Sequence, residues 1–396
     1  MDGNALARPV AIGDVELRNR IVMPPCTTNY ADPQGYVTEK TLGFYEERAR
    51  GGAGGLIFEA SNVNPLGKLT GRQHSLCSDA HIPGLQEVTR RAHAQGARIF
   101  VQISHGGPKA LSAYNGGTRP VSASEVPIKV ADVPRPITHE EIEQTIADFA
   151  NGAVRAREAG FDGVELHAAH FYLLSSFLSG YTNHRTDEYG GSVENRARIV
   201  CRIIQAVKER AGADYPVICR FHGYEALPGG ISEAEACRLA QLFEAAGADA
   251  LHVSAATIEV NPKITSMYVV KVGAPPSRET PQGCFTRYAA SVKGAATIPV
   301  IAVGKLNDPA VAERVVREGV ADIVAIGRGM IADPYLPTKM LTGRWDDVVQ
   351  CTDCLTCHTT LWKQFDVGCS VNPKPWRPKG YTSKHYLGRK VVDHVS

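Results

Sequence analysis

The chain has 396 residues, a hydrophobic share of 43%, a charged share of 21% and a formal net charge of +2. It is long enough to bury a large core, and its near-neutral charge gives no field that would attract nucleic acid or an anionic membrane surface. No run of about 18 apolar residues exists to span a bilayer. The opening Met1–Leu17 has no apolar signal core, so a cytoplasmic protein acting on a small-molecule substrate is expected.

Short β-rich apolar runs alternate with helix-patterned stretches along the chain. Strands are expected at Arg20–Met23, Gly55–Glu59, Arg98–Ile103, Gly163–Leu166, Val217–Phe221, Ala250–Val253, Val300–Val303 and Ile323–Ile326. Helices are expected at Thr38–Arg50, Ile82–Gln95, His139–Ala159, Glu194–Arg210, Ser232–Ala246, Thr286–Lys293, Asp308–Arg317 and Ala332–Leu341. Thr138, Ser232 and Asp308–Pro309 supply start signals. Strands apolar on both faces suit a parallel sheet covered by helices. Eight alternations predict an α/β fold, a closed (β/α)8 barrel, over residues 1–345. A doubly wound sheet is the alternative, but the turn after the first strand is Pro24-Pro25-Cys26-Thr27 and not a glycine fingerprint. The connections Gly106–Pro136 and Ala255–Pro281 leave C-terminal strand ends, where they can form substrate walls or lids.

Residues 346–396 read as a cysteine-bearing extension and a Pro- and Lys-rich tail that wraps the surface. Cys351, Cys354, Cys357 and Cys369 are spaced C-x2-C-x2-C-x11-C. Such spacing marks a redox cluster more often than a disulfide framework. Four thiolates also suit zinc. The other six of the ten cysteines are scattered in apolar segments and read as buried core thiols in a reducing compartment. Cys26 stands apart, with a redox-switch reading weighed against simple packing.

The strongest chemical constellation follows the fourth strand: His167, His170 and Tyr172. If the segment enters a helical turn, residues three apart converge above one spot. Paired imidazoles can hydrogen-bond a carbonyl oxygen, and a phenol can deliver a proton. A metal pair or core histidines would use the same residues differently.

The run HAAHFYLLSSF at 167–177 is accompanied, in order, by NRIVMPPCT, FEASNVNPLGK, QISHGG, RFHG, VGKLNDP and ADIVAIGRGMIADP. Over roughly residues 8–345 the chain resembles the old yellow enzyme (NADH:flavin oxidoreductase) family. The resemblance implies FMN held without a covalent bond at the barrel mouth. It implies Gln102 at the pyrimidine edge, Arg220 near N1–O2 and Thr27 at O4. Pro24, Pro25, Cys26 and Ala60 would pack against the ring. The phosphate would lie on Val303, Gly304, Lys305, Gly327 and Arg328. His167 and His170 map onto the pair that anchors the substrate oxygen, and Tyr172 onto the proton donor. Phe171 stands where many relatives have glycine, which adds bulk beside the donor and is expected to narrow the pocket or re-aim Tyr172.

The four cysteines move the resemblance toward the iron–sulfur branch, with 2,4-dienoyl-CoA reductase and trimethylamine dehydrogenase, and imply a [4Fe–4S] cluster. Asn372-Pro373 fits that branch. The leading expectation is an ene-reductase that passes hydride to an α,β-unsaturated carbonyl. The alternative is an oxidative amine dehydrogenase or N-demethylase. Two residues between the second and third cysteines favour it; Ala60 in place of a tyrosine and the absence of tryptophan from 255–262 oppose it, and Trp362 would be one remaining aromatic wall. No glycine fingerprint follows the barrel. Electrons would then come from NAD(P)H directly or from a separate electron-transfer protein or reductase, with homo-oligomers or a longer parent chain compatible.

Overall fold

The computed structural model describes residues 4–127, 132–256, 276 and 278–376. Eight parallel strands close into one barrel. They are β1 (Ile21–Met23), β2 (Gly55–Asn62), β3 (Arg98–Ser104), β4 (Gly163–Ala168), β5 (Val217–Glu225), β6 (Ala250–Ala256), β7 (Val300–Val303) and β8 (Ile323–Ala325). Each pairs with the next in sequence, and β8 closes on β1. The expected (β/α)8 barrel is therefore the fold.

The helices are α1 (Glu39–Arg50), α2 (Ile82–His93), α3 (His139–Glu158), α4 (Leu173–Leu178), α5 (Val193–Ala211), α6 (Glu233–Ala245), α7 (Thr286–Lys293), α8 (Pro309–Arg317), α9 (Arg328–Ala332), α10 (Leu336–Leu341) and α11 (Thr356–Trp362). The start signals act as read. Thr138 and Ser232 form capping boxes with Glu141 and Glu235. Asp308 accepts from the amides of Ala310 and Val311 ahead of Pro309. The single helix expected over Ala332–Leu341 is instead two short ones. Asp333, which precedes a proline, is pushed out of helical geometry to φ −132°. Its carboxylate accepts from the Tyr335 amide (3.0 Å), the Val349 amide (2.9 Å) and Lys339 Nζ (2.6 Å).

Two apolar layers hold the barrel. The larger lies between strands and helices. The smaller lies inside the barrel, where Val22, Ile57, Phe100, Ile218, Ala250, Ile301 and Ile323 meet Ile12 and Leu17 of an N-terminal hairpin (Val10–Ile12 with Val15–Leu17). Strand side chains alternate faces. The residues two and four steps beyond these inward positions therefore also point inward: Gln102 after Phe100, Arg220 and His222 after Ile218, and His252 and Ser254 after Ala250; Glu165 and His167 lie in register with Gln102 and Arg220. The barrel is thus dry at its N-terminal end and polar at its C-terminal mouth, where barrel sites are built.

The C-terminal segment packs on the mouth and does not hang free. The Val367 amide donates to Thr28 O (2.8 Å), Asn29 Nδ2 to Phe365 O (2.9 Å), Arg48 Nη1 to Pro375 O (3.0 Å) and Asn372 Nδ2 to Ile331 O (2.8 Å). Among the described residues no helix is long and apolar enough to cross a membrane. The tail beyond Trp376 and most of the Ala255–Pro281 connection lie outside the described residues.

Candidate active site

A cleft of about 300 Å³ opens at the barrel mouth. Its walls include every ring-, phosphate- and substrate-facing residue expected from sequence: Pro24, Pro25, Cys26, Thr27, Ala60, Gln102, His167, His170, Tyr172, Arg220, Val303, Gly304, Lys305, Gly327 and Arg328. Sequence reasoning missed Ser254, Phe285, His358, Leu361 and Val367, which also line it. The last three come from the C-terminal segment, whose contact with the barrel leaves no periodic signal. Ser254 was detectable from β6 alone, because it lies in step with inward-facing His252.

The polar floor is a connected network. Glu165 is wholly buried, takes a hydrogen bond from Gln102 Nε2 (2.7 Å) and pairs with His252 Nδ1 (2.6 Å). Burial pulls the Arg220 guanidinium below its ordinary pKa, and the Glu165 charge pushes it back up. In register, Arg220 sits between His167 and His252.

The His-His-Tyr set converges, but not through a helical turn as expected. His167 is the next-to-last residue of β4, while His170 and Phe171 are both left-handed, with φ of 60° and 56°. Helix α4 begins only at Leu173, with Tyr172 as its N-cap. A left-handed side-chain-bearing residue costs about 1–2 kcal/mol, so the surroundings must enforce it. The His170 amide donates to His222 Nε2 (2.8 Å), and the Phe171 amide to Ser175 Oγ (3.2 Å). His167 Nε2 and His170 Nδ1 end 3.4 Å apart, and the Tyr172 ring meets the His167 ring edge-on at 4.5 Å. Phe171 does not narrow the cleft. It is fully buried away from it, against His222 and Ala256.

Burial, then the Arg220 charge, holds both imidazoles well below the usual histidine range. Burial holds His105 down to about 4. An unfolded histidine titrates near 6.5. Below that pH the unfolded chain takes up protons that the folded histidines refuse. Stability is therefore full above about 6.5 and falls with pH toward 4. His105 alone contributes about 2 kcal/mol of loss at pH 5. Urea midpoints at pH 7 and pH 5 check this; equal midpoints would contradict it.

Burial raises the Cys26 thiol to about 12. Its sulfur is in close contact with the turn after β8: a Cβ on Gly327 would lie 3.2 Å from it. Across the cleft, Gly304 has φ +118°, and a Cβ there would meet the Phe285 ring at 2.8 Å, so only glycine fits this bend. Of the six scattered cysteines only Cys219 is fully buried; the others are half-buried, a correction to the expected core thiols.

Two groups are tested by this chemistry. Arg220 Nε and Arg328 Nη1 are buried donors without a hydrogen-bond partner among the described residues. Arg328 Nη1 is 3.1 Å from Asp353 Oδ1 but misaligned, and the same carboxylate pairs with Lys305 Nζ at 3.0 Å. Donors at these two positions fit an electron-rich ring edge and an anionic phosphate, so FMN fits the residues present. The four thiols of Cys351, Cys354, Cys357 and Cys369 together line a second, small cavity, and Cys357, Arg328 and Ile331 line both it and the cleft. Left-handed Asp353 and Leu355 turn the loop around this cavity. A tetrahedral zinc at about 2.3 Å from each sulfur would bring the thiolates within about 3.8 Å of one another. Among the described residues no three of these sulfurs lie mutually within 4.8 Å.

Comparison with known proteins gives the same picture. The profile of the NADH:flavin oxidoreductase / NADH oxidase family matches residues 5–347. The NADH oxidase of Thermoanaerobacter brockii is 40% identical over 375 residues, covering 94% of this chain and 56% of that protein. The structure of a 2-naphthoyl-CoA reductase complex superposes with a TM-score of 0.87 at 32% identity, covering 94% of this chain and 57% of that one. Histamine dehydrogenase from Rhizobium sp. 4-9 superposes with a TM-score of 0.83 at 27% identity, covering 95% and 54%. The chain thus spans little more than half the length of these relatives.

Proposed function

Because the chain belongs to the NADH:flavin oxidoreductase / NADH oxidase family and is a flavin-dependent oxidoreductase, we propose that it is an FMN- and [4Fe–4S]-containing ene-reductase acting on α,β-unsaturated carbonyl compounds. The observation that carries this reading is the convergence of two neutral imidazole nitrogens, 3.4 Å apart, beside a half-buried phenol. That is a site for one oxygen atom and one proton.

FMN, when bound, supplies the hydride for the β-carbon. The chain's residues do the rest. His167 and His170 hold the carbonyl oxygen and stabilise the negative charge that develops there. Burial raises Tyr172 to about 12, so its proton is present at every working pH and is delivered to the α-carbon. Gln102, fixed by Glu165, and Arg220 present an amide and a fixed cation to the ring. Gly304, Lys305, Gly327 and Arg328 would hold the phosphate, with Asp353 exchanging its place at the two cations. Cys351, Cys354, Cys357 and Cys369 would hold the cluster, with NAD(P)H or a separate reductase as electron source.

One observation keeps an oxidative amine dehydrogenase as the second reading, namely the superposition on histamine dehydrogenase. Against it, Ala60 lines the cleft where an aromatic wall would hold an alkylammonium group. The Trp362 side chain and residues 257–262 lie outside what is described.

The deciding experiment is anaerobic. The flavin-loaded protein is reduced, then offered enones, enoyl-CoA thioesters and unsaturated steroids, and flavin reoxidation is recorded. A parallel set gives methylated amines to the oxidised protein. Reoxidation by the first set is expected; flavin bleaching by the amines alone would reverse the assignment. Metal analysis of anaerobically purified protein should give about four irons per chain and no zinc, and stoichiometric zinc would remove the cluster.

A further inference from the structure

We infer that the Ser254 hydroxyl is a positioning group: it donates to His170 Nε2, so that the single N–H of His170 lies on Nδ1 and faces the same point as His167. This rests on the ene-reductase reading and adds to it the residue that makes the histidine pair a double donor.

A neutral imidazole has one N–H, on one of two nitrogens. For His167 the choice is constrained. Its Nδ1 is buried with no hydrogen-bond partner among the described residues, so its N–H is satisfied only on Nε2. For His170 both nitrogens have neighbours: Nδ1 lies 3.4 Å from His167 Nε2, and Nε2 lies 3.0 Å from Ser254 Oγ. If the proton sits on Nε2 it is spent on the serine, and Nδ1 is a bare lone pair that repels a carbonyl oxygen. If it sits on Nδ1, the oxygen meets two N–H groups, and Nε2 then needs a donor. A hydroxyl both accepts and donates, so Ser254 fits either state by rotating. The bound oxygen selects the second state, and the site neither gains nor loses a proton.

The remaining protons around His170 are already placed. Glu225 accepts from Ser179 Oγ (2.5 Å) and the Ile231 amide (3.0 Å), and is 2.8 Å from His222 Nδ1. His222 Nε2 must accept, because the His170 amide donates to it at 2.8 Å. So Nδ1 of His222 carries its proton, directed at Glu225 and away from the cleft. This branch fixes the left-handed backbone of His170 and has no proton to offer its ring. Before the oxygen binds, His167 Nε2–H can donate to His170 Nδ1 at 3.4 Å, which keeps the His170 proton on Nε2; the bound oxygen takes over that donor, and the serine hydroxyl is the recorded neighbour that then donates to Nε2.

The test uses flavin-loaded protein and 4-nitrophenolate, which presents an oxyanion on a flat ring and whose absorbance reports binding. S254A is expected to bind it about ten- to a hundredfold more weakly than the unaltered protein, the loss of one hydrogen bond to a charged acceptor. S254T keeps the hydroxyl and is expected to stay within about threefold. Long-range proton–nitrogen spectra of the unaltered complex should place the His170 proton on Nδ1. Equal affinity in S254A, failure of S254T to recover it, or a proton on Nε2 in the complex would overturn the assignment. If the unaltered protein binds no phenolate and is not reoxidised by any enone, the oxygen-holding reading itself fails. That outcome is separable from equal binding by both proteins.

Discussion

Replacing Tyr172 with phenylalanine is expected to slow enone reduction by about 10²–10⁴, the usual contribution of a placed general acid. Phenylalanine keeps the ring, so the edge-on contact with His167 at 4.5 Å survives and only the hydroxyl is lost. Flavin reduction by NAD(P)H does not use that hydroxyl and should be unchanged. The pH behaviour adds a second check. Burial raises the phenol to about 12, so between pH 6 and 9 it never deprotonates, and the deficit of the variant should be flat there. Among the described residues Lys109 titrates in this range: burial lowers it to about 8, and its Nζ lies 5.4 Å from the Tyr172 ring centre. A slope near pH 8 in the unaltered protein would therefore report Lys109 and not the tyrosine. Stopped-flow reoxidation by a simple enone decides the matter: unchanged turnover in the variant would take the proton-donor role away from Tyr172.

The barrel was readable because its signals are local and repeated. Eight apolar runs at strand length, each followed by a helix-patterned stretch and three of those with a start signal, admit few folds. The resemblance then placed Gln102, Arg220 and His167 at the barrel mouth, where they line the cleft. Three features were not readable, each for a physical reason. The left-handed turn at His170 and Phe171 depends on His222, fifty-two residues away in sequence, and no local pattern announces it. The helix break at Asp333 depends on what its carboxylate can reach once the chain has folded, although Pro334 was a hint. The wall built by His358, Leu361 and Val367 depends on the C-terminal segment folding back over the mouth, so the boundary drawn at residue 345 divides what the cleft joins. The glycine-to-phenylalanine departure at 171 misled for a related reason: a left-handed residue points its side chain away from where a helical one would.

A large stability effect is expected at the Asp333–Lys339 pair. Both side chains are almost wholly buried and meet at 2.6 Å. Asp333 ends α9, the helix that begins at Arg328, and its carboxylate also receives the Val349 amide at 2.9 Å. One carboxylate therefore ties the phosphate side of the cleft to the segment entering the cysteine loop. D333A removes the charge partner of a buried ammonium and the acceptor of two buried amides. Such a loss costs about 3–5 kcal/mol, a large part of the roughly 5–15 kcal/mol that holds a typical domain together. D333N keeps the shape and one acceptor oxygen, and should cost less. Replacing both partners, in D333L with K339M, should also cost less than D333A alone, because no charge is then left buried. Urea unfolding ranks the three variants, and flavin and iron content measured on the same samples should fall together in D333A. An unfolding midpoint for D333A equal to that of the unaltered protein would show that the pair ties nothing. Loss of flavin with iron retained would show that the two sites are held independently.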